Sequence, residues 1–139
     1  MMRGARFAQR KVGRDRVGAA PHANLRRQAQ QVGVTLDDRW PDEALQALRP
    51  DAATAVVTLS HDTKIDDPAL IEALKSPAAY IGALGSRRSH AARLERLSAA
   101  GAQGLERIDG PVGLDIGAIG PSEIALSIAA AMVRSFHAR

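Results

Sequence analysis

Hydrophobic and polar positions along the second half of the chain follow two alternating periods. Two short apolar runs, residues 53–60 and 79–84, are typical of strands that are buried on both faces of a parallel sheet. Residues 66–74, 86–100 and the segment that begins at Pro121 carry apolar side chains at the spacing of amphipathic helices. Strands that alternate with helices predict an α/β domain with a parallel sheet and right-handed crossovers.

The remaining segments give weaker signals. We predict a short helix over residues 25–31 that Gly33 ends, and a short strand over residues 32–36. Residues 41–48 begin with proline and two acids, which is typical of the first turn of a helix. Residues 102–120 are rich in glycine and are predicted to form one long loop, a kind of segment that is usually functional in a compact domain.

Two of the predicted helices have a suitable N-cap residue. Asp66 is the expected cap of the first, and Ser86 is the expected cap of the second. In the helix that follows Ser86, the charged residues are expected to face mainly away from the core, and His90 either lines the ligand pocket or, as we expect, is solvated. The residues expected near its buried face are Ala91, Leu94, Leu97 and Ser98.

The turn that follows the second strand has the features of an anion-binding site. Gly85 permits a tight turn with close approach of the backbone, and Ser86 caps the next helix. Arg87 and Arg88 place two guanidinium groups at the positive end of that helix, where phosphate binds favourably. Consecutive helix positions point about 100° apart, so we expect at least one of the two arginines to face a ligand. Gly82 lies in the strand that leads into this turn.

Two aspartates are further candidates for ligand binding. Asp62 follows the first strand, at the edge where open α/β sheets bind ligands, and either orients a ligand or caps the next turn. Asp115 lies in a glycine-flanked part of the long loop, where it either reaches a ligand donor or forms an Asx turn. His61 has no nucleophile or second histidine at useful spacing, so no catalytic or metal-binding residue is predicted.

Composition narrows the classes of function. The net charge of +4 comes from residues 1–30, which hold eight Lys/Arg and one acid, whereas residues 31–139 hold eleven Lys/Arg and fourteen acids. The basic part lacks the interleaved aromatic residues that stack on bases, so nucleic-acid binding is not expected. The chain has no cysteine, no run approaching the ~20 apolar residues of a membrane span and no signal-like segment, which favours a cytoplasmic protein.

Three blocks of residues together resemble the C-terminal Rossmann-like domain of the XdhC/CoxI family. The blocks are residues 59–70, residues 80–90, and residues 110–118 with 121–128. The resemblance implies an incomplete Rossmann-like three-layer α/β fold with a small parallel sheet of three or four strands in residues 39–139. Residues 1–38 form an atypical basic segment without the strand and Gly-x-Gly turn with which the family's domain usually begins. We therefore expect a domain that is truncated on its N-terminal side.

The resemblance also implies a role in the maturation of molybdoenzymes. Family members resemble accessory proteins that bind the molybdenum cofactor, molybdopterin, and pass it to apoenzymes of the xanthine dehydrogenase or CO dehydrogenase type. Such a protein is a maturation chaperone, so we do not expect enzymatic activity of its own. The residues expected to contact the cofactor are Asp62, Gly82, Gly85, Ser86, Arg87, Arg88 and Asp115.

Two other interpretations stay open. A fragment of an NAD(P)-binding oxidoreductase would need a glycine-rich turn for the pyrophosphate, which the sequence does not contain. A non-catalytic remnant or interaction module would expose a sheet edge, and an exposed edge favours pairing with another chain, for example in a homodimer.

Overall fold

A computed structural model describes residues 27–138, and within them a three-stranded parallel sheet in the order β1-β2-β3 forms the centre. The strands are β1 (Ala55–Thr58), β2 (Tyr80–Ala83) and β3 (Ile108–Asp109). Val56 pairs with Ile81, which in turn pairs with Ile108. The predicted small parallel sheet and the Rossmann-like α/β fold class are confirmed.

Helices cover both faces of this sheet. They are α1 (Pro41–Leu48), α2 (Thr63–Lys75), α3 (Arg87–Ala99) and α4 (Pro121–His137), and a 3₁₀ turn at Leu105–Arg107 precedes β3. The predicted starts of α1 and α4 at proline are confirmed, because proline occupies the first helical position in each. Within residues 27–138, no helix combines the length and the apolar character needed to cross a bilayer.

The segment before α1 differs in part from the prediction. Residues 27–31 are helical and Gly33 ends the turn with a φ of +74°, as predicted; residues 25 and 26 lie outside the described part. The predicted strand over residues 32–36 is wrong, because these residues have no regular structure. Val32 is 75% exposed, so the short apolar run lacks the buried face that a strand needs.

Helix α2 begins one turn earlier than predicted. The cap is Asp62, whose carboxylate accepts a hydrogen bond of 2.9 Å from the backbone N–H of Lys64. The predicted cap, Asp66, lies inside the helix and is only 4% exposed. The prediction was wrong because Asp62 already satisfies a first-turn amide, so the helix continues through the Asp66 position.

The glycine-rich segment contains a strand that the sequence analysis did not predict. Ile108 and Asp109 pair with β2 in parallel register, and the side chain of Ile108 is buried in the core. A strand of two residues is too short to show a period in the sequence. A 3₁₀ turn at Leu105–Arg107 precedes this strand, and residues 110–120 contain no helix or strand.

Two apolar clusters lie on opposite faces of the sheet. On one face, α2 and α3 bury an aliphatic core in which Leu70, Ile81 and Leu97 are the largest fully buried side chains. On the other face, α4 covers a smaller cluster of Tyr80, Val112, Ile128 and Ala131. Full burial of each large apolar side chain stabilises the fold by about 1.5–3 kcal/mol, so the first cluster holds the strands and two helices together.

Candidate functional site

The segments that follow the three strands lie at one edge of the sheet, because the strands are parallel. The backbone N–H of Leu84 donates to the carbonyl oxygen of Thr58 at 3.0 Å, which joins the ends of β1 and β2. The N–H of Val112 donates to the carbonyl of Ala83, also at 3.0 Å, and joins the segment after β3 to β2. The loops that carry the predicted ligand residues therefore meet at this edge.

A reciprocal pair of serine hydrogen bonds caps α3. Ser86 Oγ accepts from the N–H of Ser89 at 3.1 Å, and the N–H of Ser86 donates to Ser89 Oγ at 2.7 Å. Gly85 precedes the cap with a φ of +148°, and a Cβ atom there would lie 2.5 Å from Ser89 Oγ. The predicted cap at Ser86 is confirmed, and the turn before it requires glycine.

Arg87 and Arg88 occupy the first two positions of α3 and both side chains are exposed. Neither guanidinium group forms an ion pair or a hydrogen bond with another residue in the part of the chain that the structure describes. Two cations at the positive end of a 13-residue helix are therefore available to an anion. Their contact with a ligand stays a prediction.

The other predicted site residues have different surroundings. Asp62 is exposed and caps α2, as the alternative interpretation expected. Gly82 is buried in β2, and a Cβ atom there would lie 2.4 Å from Val112 Cγ2, so packing alone accounts for this glycine. Asp115 is exposed, and no hydrogen bond joins its carboxylate to another described residue, so the Asx turn is not formed. Ligand contacts of all three stay predictions.

A buried arginine, which sequence analysis had placed away from the core, lies behind this edge. Arg93 is only 6% exposed; its Nη2 donates to the carbonyl of Leu84 at 2.7 Å, and its Nη1 lies 3.2 Å from His90 Nδ1. Because arginine only donates, His90 Nδ1 must accept, which places the proton of the neutral ring on Nε2. The Nε atom of Arg93 is buried and has no partner in the structure.

His90 fills the space next to the loop that follows β3. A Cβ atom on Gly110 would lie 2.1 Å from His90 Nδ1, so glycine is required there. Partial burial and the nearby charge of Arg93 lower the pKa of His90, and the charge of Asp109 opposes this shift. His90 is therefore a packed, neutral residue rather than the solvated one that sequence analysis expected.

Asp66 is a second buried charged residue near this edge. Ser60 Oγ donates to its Oδ1 at 2.7 Å. Burial raises the pKa of Asp66, while the Ser60 hydrogen bond and the charge of Arg93 oppose the shift. The structure thus contains a carboxylate and a guanidinium group that are both almost wholly removed from water.

A cavity of about 180 Å³ lies between α2 and α3, and both Asp66 and Arg93 line it. An ion pair from Arg96 Nε to Asp67 Oδ2, at 2.8 Å, joins the two helices beside it, and both residues also line the cavity. None of the seven predicted site residues, all of which are described, lines this cavity. Ser89, the partner of the cap Ser86, does line it, so the cavity and the predicted anion site are neighbours.

The sequence contains a weak indication that Arg93, which lines this cavity, is buried. Arg93 lies four positions before Leu97, the side chain that packs most deeply on α3, and residues four apart share a helix face. The buried face predicted for α3 was wrong in two of its members, because Ala91 and Ser98 are exposed. Charge had argued against a buried position for Arg93, and one of its two acceptors, the carbonyl of Leu84, lies outside its helix.

A second cavity, of about 290 Å³, lies on the α4 side of the sheet, where Tyr80, Asp109 and Arg134 are among the residues that line it. The Tyr80 hydroxyl donates a hydrogen bond to the Asp109 carboxylate. Burial raises the pKa of Tyr80, and so does its hydrogen bond with Asp109. Within residues 27–138, no three His, Cys, Asp or Glu side chains lie close enough together to hold a metal ion.

A family model described as the XdhC Rossmann domain matches residues 11–132 of the chain. The match covers all three strands and reaches into α4. It begins inside the basic segment of residues 1–38, and the boundary predicted between residues 38 and 39 stays a prediction.

Two proteins of Escherichia coli (strain K12) are also similar in sequence to this chain. The chain is 39% identical over 82 residues to the molybdenum cofactor insertion chaperone PaoD of Escherichia coli (strain K12). This alignment covers 58% of this chain and 26% of PaoD. The chain is 35% identical over 94 residues to the uncharacterized protein YqeB of the same organism, covering 66% of this chain and 16% of that one. The chain thus spans about a quarter or less of the length of these relatives.

A solved structure supports the fold over nearly the whole chain. The crystal structure described as a xanthine dehydrogenase from Bacillus halodurans superposes with a TM-score of 0.64 at 26% sequence identity. The superposition covers 97% of this chain and 43% of that one.

Proposed function

The chain belongs to the XdhC Rossmann-domain family, and on that premise we propose that it binds the molybdenum cofactor and passes it to a molybdoenzyme. The recipient in this proposal is an apoenzyme of the xanthine dehydrogenase or CO dehydrogenase type. Similarity to a molybdenum cofactor insertion chaperone supports an accessory role. The proposal includes a cytoplasmic location and a cofactor-binding domain in residues 39–139, and it requires no catalytic step.

The observation that carries this proposal is the open N-terminus of α3. Arg87 and Arg88 are exposed there at the strand-end edge of the sheet, and no acidic side chain of the described part neutralises them. The cofactor is a pterin that carries a phosphate, and a phosphate at a helix N-terminus would accept charge-assisted hydrogen bonds from these arginines. Gly85 and Ser86 shape this turn, while Asp62 and Asp115 are candidates for contacts with other polar groups of the cofactor.

The docking of an apoenzyme would need a surface apart from this edge, and α4 offers one. Leu126 and Val133 are 64% and 45% exposed, and they lie seven positions apart, on the same face of α4. Exposed apolar side chains that lie close together are typical of protein–protein contacts. This observation also favours the alternative of an interaction module. An NAD(P)-binding function has no comparable support, because the glycine-rich turn for the pyrophosphate is missing from the sequence.

Native mass spectrometry of the protein from a host that makes the molybdenum cofactor tests the proposal. We expect an adduct with the mass of a molybdopterin species on the wild-type protein. The double variant Arg87→Ala/Arg88→Ala should retain roughly a tenth of that adduct or less, because two charge-assisted contacts are removed. The same spectra report whether the chain forms a dimer.

A matched control removes the same charge elsewhere. Lys75→Ala/Arg134→Ala eliminates two exposed cations, one at the end of α2 and one near the end of α4. This control should keep the full adduct. Wild-type protein that is folded but free of cofactor would contradict the proposal, and equal loss in the two double variants would show that net charge alone governs binding.

A further inference from the structure

Two opposite charges line the cavity between α2 and α3 without pairing. Asp66 is 4% exposed and Arg93 is 6% exposed, and both line the same space of about 180 Å³. The ion pairs of the described part do not include this pair. Since buried opposite charges normally pair with each other, the gap between them suggests that each has a different partner when a ligand is present.

Asp66 has unused acceptor capacity. An ionised carboxylate offers about four lone-pair sites on its two oxygens. Oδ1 accepts from Ser60 Oγ at 2.7 Å, and no residue of the described part donates to Oδ2. A buried carboxylate with one neutral hydrogen-bond partner is poorly compensated, so a ligand with N–H donors would be favoured here.

Arg93 has unused donor capacity in the same place. A guanidinium group carries five N–H donors, and two acceptors are present: the carbonyl of Leu84 and Nδ1 of His90. These two contacts hold the group in position but supply no negative charge. A ligand carbonyl oxygen beside Arg93 would therefore gain a hydrogen bond from a donor that is already in place.

We propose that this cavity binds the edge of a 2-amino-4-oxopyrimidine ring. Asp66 accepts from the ring N–H and the amino group, and Arg93 donates to the ring carbonyl. These three groups lie side by side on one edge of the ring, in the order donor, donor, acceptor, which complements a carboxylate beside a guanidinium group. Pterins and guanine share this edge.

The size and place of the cavity agree with a ring rather than a whole cofactor. Its volume of about 180 Å³ is below the roughly 300–1,000 Å³ of pockets that enclose drug-sized ligands. Ser89 lines the cavity and is hydrogen-bonded to Ser86, the cap of α3. A ligand with its ring in the cavity and its phosphate at Arg87 and Arg88 would span these two neighbouring sites. This inference rests on the proposed function, in which the ligand is a pterin with a phosphate.

Analogues that differ only in the amino group test the ring assignment. We would measure binding of pterin and of lumazine, its 2,4-dioxo analogue, by calorimetry on the wild-type protein, and of guanosine against xanthosine in the same way. Replacing the amino group by a carbonyl should weaken binding at least about tenfold, because the carbonyl oxygen would face the buried carboxylate. Binding of pterin alone would identify a pterin ligand, and binding of guanosine alone would identify a guanine-containing ligand.

A variant identifies the residue that is responsible. Asp66→Asn should lower the affinity for pterin at least about tenfold and reduce its preference over lumazine. Glu72→Gln is the matched control, because Glu72 lies on the same helix and pairs with Lys75 at 2.6 Å, away from the cavity. If Asp66→Asn does not fold, the comparison of pterin with lumazine on the wild-type protein decides the question.

Three results would overturn this inference: equal affinity for the amino and oxo analogues, no binding of any ring compound at millimolar concentration, or unchanged affinity in a folded Asp66→Asn variant. A molybdopterin adduct that persists in native spectra while these ring tests fail would retain the carrier function and remove this subsite. Pterin binding without any adduct from the cofactor-producing host would retain this subsite and contradict the carrier function.

Discussion

The two faces of the sheet are covered to different extents. On the α2–α3 face, two helices bury an aliphatic core around Leu70, Ile81 and Leu97, each at most 1% exposed. On the α4 face, one helix covers a smaller cluster around Tyr80 and leaves Leu126 largely exposed. The first face has a well-packed core beside the cavity between its two helices, whereas the second keeps apolar surface that a further protein element could cover.

In the function that we propose, ligand binding and partner docking use different faces of the sheet. The α2–α3 face fixes the ends of β1 and β2 and the start of α3, and a rigid frame is what a binding site needs to hold its polar groups in position. The α4 face has the character of a docking surface. We therefore place the ligand at the strand-end edge and the partner on α4 in the function that we propose.

The buried polar groups show the same contrast. On the α4 face, the Tyr80 hydroxyl donates directly to the Asp109 carboxylate. On the α2–α3 face, Asp66 and Arg93 are not paired with each other and keep hydrogen-bonding capacity. A paired polar group stabilises the free protein, whereas an unpaired one keeps the hydrogen-bonding capacity that our proposal assigns to a ligand.

The largest effect is expected from a truncation in the closed core. Leu70→Ala should lower the free energy of unfolding by about 2–5 kcal/mol, because Leu70 is 0% exposed and its removal leaves a cavity. Leu126→Ala on α4 should change it by less than about 0.5 kcal/mol, since that side chain is 64% exposed. Urea denaturation of both variants measures the difference, and similar losses would show that the two faces are equally packed.

A smaller effect is expected from adding one methyl group beneath α4. Gly82→Ala should cost about 1–3 kcal/mol, because the new Cβ would lie 2.4 Å from Val112 Cγ2 and 2.9 Å from Tyr80 Cε1. Gly120→Ala, which has no atom within 4 Å of the new Cβ, should cost at most about 1 kcal/mol through a weaker helix cap. Thermal unfolding compares the two variants. A Gly82→Ala protein as stable as the wild type would mean that the loop after β3 is loosely packed.

The smallest effect is a pH dependence confined to the α2–α3 face. Folding lowers the pKa of His90, so the folded state binds its proton less readily than the unfolded chain does. The contribution of His90 to the free energy of unfolding is fully present above the unfolded pKa of about 6.5. It is lost as the pH falls from there through the folded pKa. The charged groups that shift the pKa of His90 are Arg93, on its own helix, which lowers it, and Asp109, on β3, which raises it.

The variant His90→Asn isolates this effect, because its amide oxygen can replace Nδ1 as the acceptor for Arg93. Its unfolding free energy should fall less steeply than that of the wild type between about pH 6.5 and pH 5. Tyr80 on the α4 face should contribute nothing in this range, because burial raises its pKa further above neutrality. Parallel pH profiles for the wild type and the variant would rule out His90 as the source.

Features that depend on a few neighbouring residues were predicted correctly. The cap at Ser86 uses the N–H and hydroxyl of Ser89, three positions away, so it is visible in the sequence. The same holds for the proline that starts α4 and for the apolar run that becomes β2. The start of α2 was missed because two aspartates were plausible caps, and local propensity could not decide between Asp62 and Asp66.

The cavity could not have been predicted in the same way. Asp66 and Arg93 belong to different helices, and their shared cavity exists because α2 and α3 pack side by side on one face of the sheet. In the sequence, both are charged residues among other charged residues, which ordinarily indicates a solvated surface. Their burial depends on Ser60 and the carbonyl of Leu84, each just after a strand, and on Nδ1 of His90.

Three features can be read from the sequence alone: the alternation of strands and helices, the capped turn at Gly85–Arg88 with its two adjacent arginines, and the family resemblance. These follow from periodicity, caps and short motifs, whose interactions span only a few residues. Three other properties emerge only when the layers pack together: which charged side chains are buried, which glycines are needed for packing, and that Ile108 and Asp109 form a strand. Those properties depend on neighbours from other layers of the fold, because burial and strand pairing are interactions between segments that are distant in the chain.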